Sequence, residues 1–141
     1  MRTNSLLETL LDSIWQDYFS DVPRSNKVSI KFGKRAKRRL GSIRKINNRI
    51  GSKNFETEIL INGYFRDKTI PQYVIEATIA HELSHYAHGF SSPLPKLSRF
   101  PHRGGMVDKE LVNRGLKYLA DIENSWLKNN WAKYLRKHNL Y

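Results

Sequence analysis

Apolar residues near the N-terminus recur at helical spacing. In SLLETLLDSIWQDYFS, residues 5–20, Leu6, Leu7, Leu10, Leu11, Ile14, Trp15 and Tyr18 share one broad face, and Asn4 or Ser5 is placed to cap it. The period then changes. Val28, Ile30 and Phe32 alternate within KVSIKF, residues 27–32, which predicts a half-buried strand. Two more β-type runs, GSIRKINNRIG and NFETEILINGYF, flank a stretch rich in Asn, Gly and Ser at 47–54 and predict a hairpin. ETEILING is expected to lie at or near a sheet edge, with Glu58–Asn62 as the edge itself. Pro71 suits the first turn of a helix running from about 71 to 88, with Val74, Ile75, Thr78, Ile79 and Leu83 facing inward and Gly89 stopping it.

Residues 90–105 hold three prolines and two glycines and read as a loop. Beyond them Val107, Leu111, Leu116, Leu119, Ile122, Trp126, Trp131 and Tyr134 form a helical apolar stripe. The order α-β-β-β-α-α predicts a single α+β domain over 1–141. Its parts are an N-terminal helix, a small three-stranded and mainly antiparallel sheet, the helix at 71–88 and one or more C-terminal helices.

Composition narrows the class. No run approaches the roughly 18 apolar residues of a membrane span. The acidic, helix-patterned N-terminus does not read as a secretory signal. The chain is therefore expected to be a soluble, cytoplasmic monomer, and nucleoid or chromatin association is compatible with this. Cysteine is absent, which removes disulfides and thiolate zinc ribbons.

Charge adds a partner. Of 25 Lys and Arg against 13 Asp and Glu, twelve lie between Val22 and Phe55 with no acidic residue among them. The rest of the chain balances. A one-sided basic block of this kind is the footprint of a polyanion binder, since each neutralised phosphate releases counterions. Lys34, Arg35, Lys37, Arg38, Arg39, Arg44 and Lys45 are the candidate contacts to DNA, single strands included. No base-reading motif accompanies them, so contact is expected mainly with the backbone.

The candidate chemistry lies in HELSHYAHGF, residues 81–90. His81 and His85 are four residues apart on one helix face, and two imidazoles so placed can both reach a zinc ion at about 2.0–2.1 Å. Glu82, rotated about 100° from His81, can miss the metal yet take a proton from an attacking water. A catalytic zinc commonly takes a third protein ligand. His102, beyond a proline-rich loop long enough to fold back, is the first choice; Glu110 on the following helix and His88 are the alternatives. His88 is about 10 Å along the axis from His81, too far for one ion above a continuous helix. Tyr86, Arg99 and His88 are candidate oxyanion stabilisers.

The succession WQDYF, KVSIKFGKRAKRRLGSIRK, EILING, VIEATIAHELSHYAHG and PHRGG resembles the SprT-like (Spartan-type) metallopeptidase domain, a gluzincin-like HExxH family, over about residues 5–118. The resemblance implies one zinc ion on His81, His85 and His102, Glu82 as general base, and peptide-bond hydrolysis in proteins bound or crosslinked to DNA. The chain departs from that family in lacking a cysteine zinc ribbon and in carrying Met106 where an aromatic residue is usual. Two expectations thus stand: a zinc metalloendopeptidase acting on protein or peptide substrates, or a nucleic-acid-binding module whose zinc is structural or silent.

Overall fold

A computed structural model describes residues 1–48, 54–97 and 103–138. Helix α1 (Asn4–Tyr18) buries Leu7, Leu10, Leu11, Ile14 and Trp15, as the spacing predicts, but leaves Tyr18 exposed. Its cap is Thr3, not Asn4 or Ser5: Thr3 Oγ1 accepts the Leu6 N–H at 3.4 Å. Asn4 is used across the fold instead, its Oδ1 accepting the Phe32 N–H at 2.9 Å and tying α1 to the first strand.

The α+β class is as expected, and the sheet refines it. Strands β1 (Val28–Phe32), β2 (Gly41–Ile46) and β3 (Glu56–Ile61) are ordered β1-β3-β2. β3 pairs parallel with β1, from Val28 opposite Thr57 to Phe32 opposite Ile61, and antiparallel with β2. The sheet is therefore mixed, with one pairing of each kind. ETEILING is not its edge. β3 is the central strand, with Thr57, Glu58, Ile59 and Ile61 all buried, and the edge strands are β1 and β2. Ile59 and Ile61 point into the core, whereas Leu60, on the other face, is half-buried and lines the groove beside Lys31 and Arg44. The β2–β3 hairpin forms as predicted; residues 49–53, between the strands, lie outside the described residues.

Where β3 ends, buried Asn62 organises the basic loop. Its Oδ1 accepts from the Ala36 and Tyr64 N–H groups at 3.2 and 3.1 Å, and its Nδ2 donates to the Ala36 and Arg39 carbonyls at 2.6 and 2.9 Å. Every hydrogen-bonding valence of this amide goes to backbone, so the chain from 34 to 40 is held against the strand end.

A 3-10 turn (Gly63–Arg66) leads to α2 (Gln72–Ala87), preceded by Pro71. Val74, Ile75, Ile79 and Leu83 are buried in the core, as their spacing predicts. Gly89 ends the helix region at φ 82°, and a Cβ there would strike the Pro95 carbonyl, so glycine is required by conformation and by space. Helices α3 (Met106–Asn113) and α4 (Lys117–Trp126) are separated by Gly115 at φ 76°. α4 runs through a π turn (Leu127–Trp131) into α5 (Ala132–Lys137) as one rod. That rod docks on the basic loop: Trp131 Nε1 donates to the Lys37 carbonyl at 2.7 Å. Among the described residues no helix is long and apolar enough to cross a membrane.

Candidate active site

α2 is apolar almost all round because the sheet, α1, α3 and α4 cover it, yet it carries HELSH through that core. Its polar turn opens into a cleft of about 650 Å³. One wall is β2, from Gly41 to Arg44; the others are Arg38, Arg39 and Phe90. Gly41 allows β2 to pass this close to α2, since a Cβ there would stand 2.7 Å from Thr78 Cγ2 and 2.9 Å from the Leu60 carbonyl.

His81, Glu82 and His85 line this cleft together. His81 Nε2 and His85 Nε2 stand 3.2 Å apart. Two nitrogens of a tetrahedral zinc site at 2.0–2.1 Å would be separated by about 3.3 Å. The observed separation matches that of two nitrogens sharing one zinc ion, and Nε2 is one of the two imidazole nitrogens that bind metal. His85 is buried, with the Phe90 ring 5.6 Å from its own. Glu82 is 5 % exposed, and burial pushes its carboxyl up to about 7, against the opposing pull of Arg39.

His102 and Arg99 lie outside the described residues. Among the described residues no third His, Asp or Glu joins His81 and His85 in a metal-sized group. The two other third-ligand candidates meet each other: His88 Nε2 and Glu110 Oε1 are 2.6 Å apart. Glu110 also accepts from Arg114 Nε at 3.0 Å, and Arg114 donates to both carboxylate oxygens of Asp21, at 2.6 and 3.1 Å. Glu110 and Arg114 border a separate depression with Asp21 and Leu97, away from the histidine cleft. Seven residues of continuous helix carry His88 past the cleft, as the rise per residue requires. Tyr86 is likewise no oxyanion group: it is fully buried, packs edge-on against Trp15 and donates its hydroxyl to Asn26 Oδ1 at 2.7 Å.

The seven basic candidates are all exposed. Arg38, Arg39 and Arg44 line the histidine cleft itself, and Lys34 joins Lys31, Arg39 and Arg44 around an adjoining groove over Phe32 and Leu60. Arg44 Nη2 and Nε bind Glu58 Oε1 at 2.6 and 3.0 Å. The Arg35 guanidinium lies 5.6 Å from the centre of the Tyr64 ring, and the Lys45 ammonium 4.7 Å from that of Phe55.

Three residues near the cleft carry no motif. Asn62 is one. Asp108 and Glu123 are the others, bordering a depression that shares His81 with the cleft. Glu123 had a legible signal: it falls in the apolar spacing Leu116, Leu119, Ala120, Glu123, where a carboxylate is out of place. No family model, no curated protein and no solved structure matches the chain.

Proposed function

We propose that the chain is a zinc-dependent endopeptidase of the SprT-like kind, hydrolysing peptide bonds in proteins held on DNA. One observation carries this reading: two histidine Nε2 atoms 3.2 Å apart, with a buried carboxylate on the intervening turn, facing a cleft along an edge strand. His81, His85 and His102 would hold a zinc ion, which when bound polarises the scissile carbonyl and makes water acidic enough to attack near neutral pH.

Glu82 takes the proton of the attacking water and returns it to the departing amine. Burial raises this carboxyl in the metal-free chain, the direction that makes it a better proton acceptor. Because β3 is interior, the strand that can pair with an extended peptide is β2, whose Ser42–Arg44 segment borders the cleft. The arginines at the rim would gather substrate with its nucleic acid.

The position of Arg38, Arg39 and Arg44 inside the cleft supports a second reading, in which nucleic acid occupies it and zinc is structural. Casein digestion by zinc-loaded protein, with and without single-stranded DNA and before and after chelation, separates the two. Cleavage abolished by chelation is expected; DNA binding with no cleavage under any of these conditions would favour the second reading.

A further inference from the structure

His81 also lines a second depression, of about 210 Å³, enclosed by α2, α3 and α4. Its walls are apolar, built from Ala80, Leu111, Leu116 and Leu119, and its two carboxylates are Asp108 and Glu123. Asp108, exposed on the first turn of α3, stands at the rim. Glu123 of α4 reaches inward to Thr78, its Oε2 3.0 Å from the hydroxyl.

That hydroxyl has one proton and two claimants, because Thr78 Oγ1 also donates to the Val74 carbonyl at 2.8 Å. When the proton serves the helix carbonyl, an ionised Glu123 faces the Thr78 oxygen within a lining of leucine and alanine broken by His81, Asp108 and Asn124. A carboxylate in such surroundings is stabilised by a cation. Burial pushes the Glu123 carboxyl up to about 7, the response of an acid set among leucines.

We propose that this depression is the specificity pocket of the peptidase, receiving the lysine or arginine side chain of the substrate residue beside the scissile bond. This assignment rests on the peptidase reading of the neighbouring cleft. The methylene stem packs on Leu111, Leu116 and Leu119, and the cationic head meets Glu123, with Asp108 drawing it in at the mouth. Sharing His81 places the pocket one side chain away from the reacting carbonyl.

The test uses zinc-loaded wild type, Glu123→Gln and Asp108→Asn. Gln is isosteric and can keep the Thr78 contact, and a thermal melt of each variant checks the fold. Amide shifts of ¹⁵N-labelled protein are followed on adding N-acetyl-lysine methylamide or its uncharged counterpart, N-acetyl-norleucine methylamide. Saturable shifts at Ala80, Ala120 and Asn124 are expected with the lysine probe, roughly tenfold or more tighter than with norleucine. Glu123→Gln should remove that difference and Asp108→Asn should reduce it. Casein fragments mapped by mass spectrometry should then show Lys or Arg enriched on one side of the cut, and the enrichment should vanish in Glu123→Gln. Equal binding of the two probes, or casein cut without basic enrichment, overturns the pocket and leaves the peptidase standing. Selective lysine binding with no cut in casein upholds the cation site and overturns the peptidase reading.

Discussion

His88 Nε2 lies 2.6 Å from Glu110 Oε1, joining the C-terminal cap of α2 to α3. The pairing occupies both residues that compete with His102 for the third place on the metal. Replacing either by alanine should cost about 1.5–3 kcal/mol, the range for a hydrogen bond to a charged group, and leave zinc stoichiometry unchanged. His102→Ala should do the reverse, losing zinc with little change in the metal-free melt. Metal analysis beside thermal unfolding reads both; zinc missing from a folded Glu110→Ala protein would return Glu110 to the ligand set.

Glu82→Gln isolates the base from the metal. The amide cannot accept a proton, so cleavage should fall by about 10²- to 10⁴-fold while bound zinc stays at the wild-type level. Residual activity within a few-fold of wild type would remove Glu82 from the mechanism.

The pH dependence of stability tests Glu123. Its folded value of about 7 lies above the ordinary 4.5, so the native state holds the proton more tightly than the unfolded chain. The stabilisation is complete below the unfolded value and is lost as pH rises through about 7. Metal-free wild type should therefore lose ground to Glu123→Gln between pH 5 and pH 8, by about 1–2 kcal/mol after allowing for partial exposure. Parallel melting-temperature curves for the two proteins across that range would contradict it.

Charge reversal in the basic loop tests the nucleic-acid arm. Lys34→Glu, Lys37→Glu and Arg38→Glu together should weaken single-stranded DNA binding. They should also flatten its salt dependence, by about 0.7 in log–log slope for each phosphate no longer neutralised. Fluorescence anisotropy over a salt series measures both; an unchanged slope would place the contacts elsewhere.

Asn62→Ala should act at a distance. It removes four hydrogen bonds to backbone and leaves part-buried groups of Ala36, Arg39 and Tyr64 without this partner, at a cost of about 1–3 kcal/mol. Because those bonds hold the loop that carries Arg38 and Arg39, DNA binding should weaken too, although Asn62 is 4 % exposed. A destabilised variant with undiminished DNA affinity would show that the loop keeps its shape without the amide.

Much of this molecule was legible in one dimension because its signals are local. Helix α2 and the His81–Glu82–His85 turn follow from the 3.6-residue period, which puts positions i and i+4 on one face whatever surrounds them. The α+β class follows from the change of period between α1 and β1. Partnership across the chain was not legible. The run at Ile59–Ile61 reads as a strand, but only the insertion of β3 between β1 and β2 made it central and put β2 at the sheet edge. Likewise the sequence marks His88 and Glu110 as possible metal ligands and Glu123 as a carboxylate out of place, but names no partner for any of them. Their roles were decided by what tertiary packing set opposite them: each other at 2.6 Å for the first two, and Thr78 within leucine walls for the third. Spacing along a helix dictates which side chains share a face, while the dielectric and the partner that a face meets exist only once distant segments have packed.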